Sequence, residues 1–233
     1  MVSFKRVVVL TGAGISAESG LATFRGLGGL WEGVPISEVA TLNALRANPD
    51  CVNAFYNQRW DGVLNAQPNP AHEALAQLEQ AMPDMLVVTQ NIDDLHERAG
   101  QKNLLHMHGE ILKIRCDECL AVGPRTGPIN SQSECSACKL KGALRPHMVL
   151  FGEIPFHQEE IERALYQCDL FVAIGTSGQV YPAAGFIQLV RAINRAHSIE
   201  INLDPGEGKS RFAETRLGLA SQLVPQLVKE LLA

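Results

Sequence analysis

Arg6 to Ser16 reads RVVVLTGAGIS, an unbroken apolar run that closes in Thr11-Gly12-Ala13-Gly14-Ile15-Ser16. Continuous Val and Leu without polar alternation suits a strand buried on both faces, as in a parallel sheet. Three further runs have the same character and end in Gly, Ser, Thr or Asn. They are Met85–Thr89 (MLVVT), Leu170–Gly175 (LFVAIG) and Ser198–Leu203 (SIEINL). Helical spacing lies between them in Pro70–Gln80, Glu159–Tyr166 and Ala183–Arg195, and Ala220–Leu232 closes the chain. Pro70 stands where a helix can start, since its missing N–H is unpaired there anyway. Strands alternating with helices predict an α/β fold with a Rossmann-like, doubly wound parallel sheet.

Two stretches break the alternation. Trp31–Pro68 reads as helices and loops with no buried strand. Leu112–Leu144 holds four cysteines among Gly, Pro, Ser and Lys, with almost no large apolar residue of its own. A segment that cannot bury a core needs a staple. Both read as insertions into one 233-residue domain. The expected large lobe is residues 1–30, 69–111 and 145–233. The expected small lobe is 31–68 (helical) and 112–144 (zinc ribbon).

Cys116-x-x-Cys119 is followed after fifteen residues by Cys135-x-x-Cys138. Each knuckle can offer two thiolates to one cation, and the pair completes a tetrahedral Zn²⁺ site within the usual zinc-ribbon spacing. Four thiolates leave no open position, so the expected metal is structural. Cys51 and Cys168 read as plain core residues. The net charge of −5 gives no reason to expect a nucleic-acid partner. No run approaches the roughly 20 apolar residues of a membrane span, and nothing resembles a signal peptide. A cytoplasmic, reducing setting is expected.

The strand ends carry the polar groups. Gly12-Ala13-Gly14 after the first strand suggests a turn where a pyrophosphate meets backbone N–H groups. Thr89-Gln90-Asn91-Ile92-Asp93, Gly175-Thr176-Ser177 and Asn202-Leu203-Asp204 follow the other three. Asn91 or Asp93 alone could be a helix cap. Polar groups at four carboxyl ends favour a bound ligand, because open α/β sheets bind there. A hydride-transferring dehydrogenase is disfavoured: position 17 is Ala17 instead of a third glycine, and no acidic residue closes a second strand. In Leu104-Leu105-His106-Met107-His108-Gly109, a strand would put His106 and His108 on one face. His108 is the favoured catalyst because Gly109 beside it allows close approach of ligand or backbone.

Taken together these segments resemble the sirtuin family. Gly12-Ala13-Gly14-Ile15-Ser16-Ala17-Glu18-Ser19-Gly20, Thr23-Phe24-Arg25-Gly26 and Gly29-Leu30-Trp31 resemble its N-terminal signature. Thr89–Asp93 resembles its T-Q-N-I-D motif, and His108-Gly109-Glu110 its H-G motif. Phe151-Gly152-Glu153 and the later strand ends follow in the family's order. The resemblance implies NAD as co-substrate and a structural Zn²⁺. It also implies acyl-lysine proteins or peptides as partners, gripped by strand addition along Val149, Phe151 and Gly152. It assigns catalysis to His108 and Asn91. It assigns cofactor contacts to Gly12, Ala13, Gly14, Glu18, Thr23, Phe24, Arg25, Trp31, Gln90, Asn91, Ile92, Asp93, Gly175, Thr176, Ser177, Asn202, Leu203, Asp204 and Ala220. In the family's reaction the acyl oxygen attacks C1′ of the nicotinamide ribose, nicotinamide leaves, and the histidine acts as base on a ribose hydroxyl. Free lysine, nicotinamide and O-acyl-ADP-ribose result.

Two features depart from the commonest deacetylase pattern. Leu21-Ala22 replaces a proline turn, and Ala17 accompanies a Tyr56-x-x-Arg59 pair. Small Ala17 with Tyr56 and Arg59 resembles the class III branch, which prefers malonyl, succinyl and similar acidic acyl groups. Three alternative classes remain open. A protein mono-ADP-ribosyltransferase would share the NAD site, a dehydrogenase lacks its acidic ribose ligand, and a zinc-ribbon binding module would not need polar strand ends.

Overall fold

The computed structural model describes residues 4–23, 30, 31, 33–193, 196–204 and 211–233. Six parallel strands form one sheet in the spatial order Glu214–Leu217, His197–Asn202, Leu170–Ile174, Val7–Thr11, Leu86–Thr89, Leu104–His106. Numbered along the chain and read from the Leu104–His106 edge, this is 3-2-1-4-5-6, the doubly wound order. The topological switch lies between Val7–Thr11 and Leu170–Ile174, where a crevice opens at the carboxyl ends.

The apolar runs work as their composition predicts. Val7, Val9, Val87, Val172 and Ile201 face one layer, with Leu75 and Leu78 of helix Pro70–Ala81 and Val224, Leu227 and Val228 of helix Ala220–Leu232. Val8, Leu10, Val88, Phe171 and Ala173 face the other, with Ile161 and Leu165 of helix Gln158–Gln167 and Phe186, Ile187 and Val190 of helix Phe186–Ile193. Side chains alternate across the sheet and both faces are covered, so no polar alternation survives in the central strands. The sixth strand, Glu214–Leu217, was not anticipated. It is a half-exposed edge whose ETRL sequence has no apolar run. The helix expected over Ala183–Arg195 opens as a 3-10 turn, Ala183–Gly185, before Phe186–Ile193; residues 194 and 195 lie outside the described residues.

The insertions make two further layers. Helices Ile36–Val39, Leu42–Ala47 and Pro49–Asn65 bury Val39, Val52, Phe55, Tyr56 and Val63 against Ile111, Met148 and Leu150. Strands Val122–Pro124, Gly109–Cys116 and Leu144–Met148 form an antiparallel sheet in that order, with Gly109 paired to Met148. This sheet spans 109 to 148; of the expected limits, residue 112 lies within its central strand and residue 144 opens an edge strand. Cys168 is buried as expected, but Cys51 is exposed. Helix Pro49–Asn65 buries the Val52, Phe55 and Tyr56 face, and Cys51 lies with Ala54 and Gln58 on the other. Among the described residues no helix is long and apolar enough to cross a membrane.

Candidate active site

A cavity of about 900 Å³ opens at the topological switch and runs toward the helical insertion. Sites for small molecules commonly occupy about 300–1,000 Å³. Every expected cofactor, catalytic and substrate residue lines it except Phe24 and Arg25, which lie outside the described residues. Segments up to two hundred residues apart thus meet at one ridge of carboxyl ends.

The glycines do something other than the sequence suggested. Gly12 N–H donates to the Ile174 carbonyl at 3.0 Å and Gly14 N–H to the Gly175 carbonyl at 2.9 Å, so neither is available to a phosphate. Their value is closeness. A Cβ on Gly14 would stand 2.6 Å from Gly175 Cα, where no side chain fits. The two turns interlock across the switch, and side chains continue the ridge. Gln90 Nε2 donates to Thr176 Oγ1 at 3.0 Å, and Asn202 Nδ2 to the Thr176 carbonyl at 3.0 Å. Glu18 lines the cavity, but its carboxylate accepts Ser221 N–H at 3.0 Å and also bonds the Ser221 hydroxyl at the start of the last helix. It ties the first turn to that helix.

At the floor, Ser16 is a hub that residue patterning did not single out. Its Oγ accepts from Asn91 Nδ2 at 3.1 Å and donates to Asp93 Oδ2 at 3.1 Å. His72 Nε2 stands 3.5 Å from the same oxygen. His72 accepts the Asn69 N–H at Nδ1, which leaves Nε2 as the protonated nitrogen facing Ser16. Burial first, and Arg98 second, hold the His72 pKa down to about 4, so the ring is neutral. One hydroxyl thus uses its donor and both lone pairs. The signal was present as Asn69-Pro70-Ala71-His72, a helix start whose N-cap and histidine form a capping box. Asp93 is buried; burial pushes its pKa up against the opposing bonds from Leu95 N–H and Ser16.

His106 and His108 do not share a strand face. The strand ends at His106, and Met107-His108 form the turn into Gly109–Cys116. That turn puts Met107 in the core and His108 at the cavity wall. His108 Nδ1 lies 3.0 Å from the Gln90 carbonyl. A carbonyl only accepts, so Nδ1 carries the proton and Nε2 keeps its lone pair for the cavity. Burial lowers the His108 pKa, partly opposed by the Gln90 bond, which favours this neutral form. Gly109 has φ +83°, and a Cβ there would sit 2.3 Å from the His147 carbonyl; backbone, not ligand, makes the close approach.

At the far end, Tyr56 is 0% exposed and its hydroxyl has no hydrogen-bond partner among the described residues. Arg59 lies one turn on, its guanidinium 3.1 Å from the Phe55 ring centroid and 5.1 Å from Trp31, with Nη1 donating to the Phe55 carbonyl at 2.7 Å. Trp31, Phe55 and Tyr56 pack edge to face with centroids 5.1–5.8 Å apart. Along the remaining wall, the N–H groups of Val149, Leu150 and Phe151 already meet His108 O, Glu153 and Ala40 O. An added strand cannot use those three donors.

The four knuckle cysteines lie with every Sγ within 4.8 Å of the others. Cys116 to Cys138 and Cys119 to Cys135 are each 3.7 Å, and none is disulfide-bonded. A tetrahedron with Zn–S bonds of about 2.3 Å has edges of about 3.8 Å. The donor set therefore fits zinc closely, and its closed shell fits a structural ion.

The fold that carries this cleft is shared with solved Sir2 proteins. The chain belongs to the Sir2 family, whose profile matches residues 12–182. It is 52% identical over 233 residues to the NAD-dependent protein deacylase of Vibrio cholerae serotype O1, covering 99% of this chain and 94% of that one. A Sir2 homologue solved in complex with NAD superposes with a TM-score of 0.88 at 36% identity, over 98% of this chain and 90% of that one. A Sir2 protein solved with a deacetylated peptide and an O-acetyl ADP-ribose gives a TM-score of 0.86 at 26% identity, over 97% and 94% of the two chains.

Proposed function

We propose that this chain is an NAD-dependent protein-lysine deacylase whose acyl pocket is built to take chains ending in a carboxylate. One observation carries the reading: a neutral, half-buried His108, fixed from behind by the Gln90 carbonyl, faces the same cavity as the Asn91–Ser16–Asp93 hub and the switch-point turns. NAD, when bound, supplies a ribose carbon that can lose nicotinamide and accept the acyl oxygen. Ile92 and Asp93 are suited to the nicotinamide carboxamide, and Gln90 and Asn91 to the ribose side. Thr176, Ser177 and the Asn202–Asp204 segment form the outer wall for the nucleotide. His108 Nε2 takes the proton of a ribose hydroxyl, a task for a base that is unprotonated at neutral pH. Acyl-lysine peptide would lie along Val149–Gly152, meeting carbonyls and Gly152 in place of the N–H groups already used. The knuckle thiols must stay reduced to hold zinc, which favours a cytoplasmic setting.

The test is a product analysis. Acyl peptide with NAD should give unmodified lysine, nicotinamide and O-acyl-ADP-ribose in equal amounts. ADP-ribose attached to protein, with the acyl group left in place, would instead make the chain a mono-ADP-ribosyltransferase.

Acidic-acyl preference follows from Tyr56 and Arg59. They sit three positions apart on one face of one helix, and both line the cavity. A buried hydroxyl without a partner is costly unless something arrives to accept its proton. A carboxylate does so, and the Arg59 guanidinium, stacked on Phe55 and beside Trp31 with Nη1 on the Phe55 carbonyl, adds the opposite charge. Ala17, also lining the cavity, leaves room for a chain longer than acetyl. A charged hydrogen bond is worth about 1.5–3 kcal/mol, so Arg59→Met with Tyr56→Phe should lower kcat/KM on a succinyl peptide about 10- to 100-fold. The same change should spare acetyl peptide, which presents no charge to the pair. Equal losses on both substrates would reduce the pair to a folding role.

A further inference from the structure

Two histidines grip successive carbonyls of the Thr89–Asp93 turn, and their surroundings demand different protonation states. His108 has one ring nitrogen on a protein acceptor. His106 has two: Nδ1 is 3.2 Å from the Asn91 carbonyl, and Nε2 is 2.8 Å from Glu97 Oε1. A carbonyl and a carboxylate both only accept. A ring between them satisfies both by carrying a proton on each nitrogen; a neutral ring must release one. His106 is 7% exposed, beneath the turn, so water is a poor substitute partner.

The charged groups around His106 come from every neighbouring element. Glu97 and His96 belong to helix Leu95–Arg98. Glu110, on the adjoining strand, is 4.0 Å from Nε2 and is itself paired with Lys113. Asp93 and Asp94 belong to the turn. Burial disfavours the charge, but the bond to Glu97, its charge, then Glu110 and the Asn91 carbonyl outweigh it, and the His106 pKa is raised. A raised histidine pKa means the clamp is complete at low pH and lost as pH rises through that value. Glu97 decides how high that value lies. Glu97, His106 and Glu110 also cluster as three metal donors, but Lys113 already occupies Glu110, which favours the proton as the resident cation.

What the clamp holds is the centre of the site. Asn91 reaches Ser16, Ser16 reaches Asp93, and the neighbouring Gln90 carbonyl aims His108. We propose that His106 is a positioning residue, kept as an imidazolium between Glu97 and the Asn91 carbonyl, and that this clamp fixes the Gln90–Asp93 turn that orients His108. Only the kinetic half of its test rests on the deacylase reading above.

The first measurement is the nitrogen NMR spectrum of ring-labelled histidines in the intact wild-type chain, with His106→Gln used to assign the signal. At about pH 6.5, the ordinary histidine value, His106 should be mostly doubly protonated while His108 is mostly neutral. A singly protonated His106 there overturns the proposal, whether or not the chain deacylates anything. The second is kcat/KM against pH for Glu97→Gln, whose neutral amide cannot hold the charge. It should fall about 10-fold below wild type in the window between its own, lower His106 pKa and the raised wild-type one, and approach wild type as pH falls below that window. A loss of equal size at every pH would mean Glu97 only supports the fold and would sink the clamp. If Glu97→Gln does not fold, the wild-type spectrum still decides. An imidazolium His106 in a chain without deacylase activity would leave the clamp standing and remove the functional reading alone.

Discussion

His108→Tyr should reduce deacylation by about 10²- to 10⁴-fold, the usual cost of removing a positioned base. Tyrosine keeps an aromatic ring at the cavity wall but puts a phenol, with a pKa near 10, where a proton acceptor is needed. His106 cannot take over, although it stands two positions away. Its ring nitrogens are both committed, to Asn91 and Glu97, and its strand has ended before the turn that presents His108 to the cavity. The fold should survive, because His108 bonds a single carbonyl and the Gln90–Asp93 turn keeps its ties to Thr176, Ser16 and Leu95. In the wild type the lowered His108 pKa sets the acid limb of kcat/KM. The base form is fully present above about pH 6.5 and is lost as pH falls through a value below it. Nicotinamide exchange should persist in the variant, since C1′ chemistry precedes the base's step in the family's reaction. A variant that deacylates at the wild-type rate would remove His108 from the mechanism, and an acid limb unchanged by its loss would do the same.

How much of this was legible in advance depended on whether the cause lay within one segment. The four central strands were, because burial on both faces leaves an unbroken apolar run, and so were the helices whose stripes face them. The edge strand Glu214–Leu217 was not, because one open side removes that run. The cysteine knuckles declare themselves through spacing alone. Ser16 and His72 did not, because their role is a junction between residues 56 positions apart, and a buried His72 looks the same in sequence as an exposed one. The glycines of the first turn were found for a partly different reason than the one that makes them necessary. Phosphate approach was expected, whereas turn-against-turn packing at Gly175 consumes two of the N–H groups. His106 and His108 were misplaced on one strand face because nothing in Leu105-His106-Met107-His108-Gly109 reveals where pairing stops. The positive φ of Gly109 and the press of the His147 carbonyl decide that, and both come from a strand nearly forty residues later.

Stripping zinc, or replacing Cys116 or Cys135 by serine, should cost stability first and activity as a consequence. The metal module has almost nothing else. Its own buried core is Cys116, Ile129, Cys135 and Leu144, so two of four core side chains are the proposed ligands themselves. Zinc bound by small four-ligand peptides supplies about 10–16 kcal/mol toward folding. Even a loss of about 4 kcal/mol, at about 2–4 °C per kcal/mol for a chain of this size, lowers the melting temperature by roughly 10 °C. The effect should reach the cavity through named contacts. Cys116 and Leu144 lie on paired strands with Arg115 and Arg145, and both arginines converge on Glu153 Oε1. The other oxygen of Glu153 accepts the Leu150 N–H at 2.8 Å, in the cavity wall where peptide is proposed to lie. Arg145 is 2% exposed and is paired with Asp117 as well as Glu153, so freeing Glu153 strips a buried cation of one of its two carboxylate partners. Zinc-free protein should therefore lose peptide affinity along with melting temperature, while the parallel sheet keeps its far-ultraviolet signature and the switch-point turns still take up ADP-ribose. Metal analysis should return about one zinc per chain before chelation. Full thermal stability in protein verified to be metal-free would end the structural-zinc assignment, and equal loss of ADP-ribose and peptide binding would show that the module does not act through Glu153.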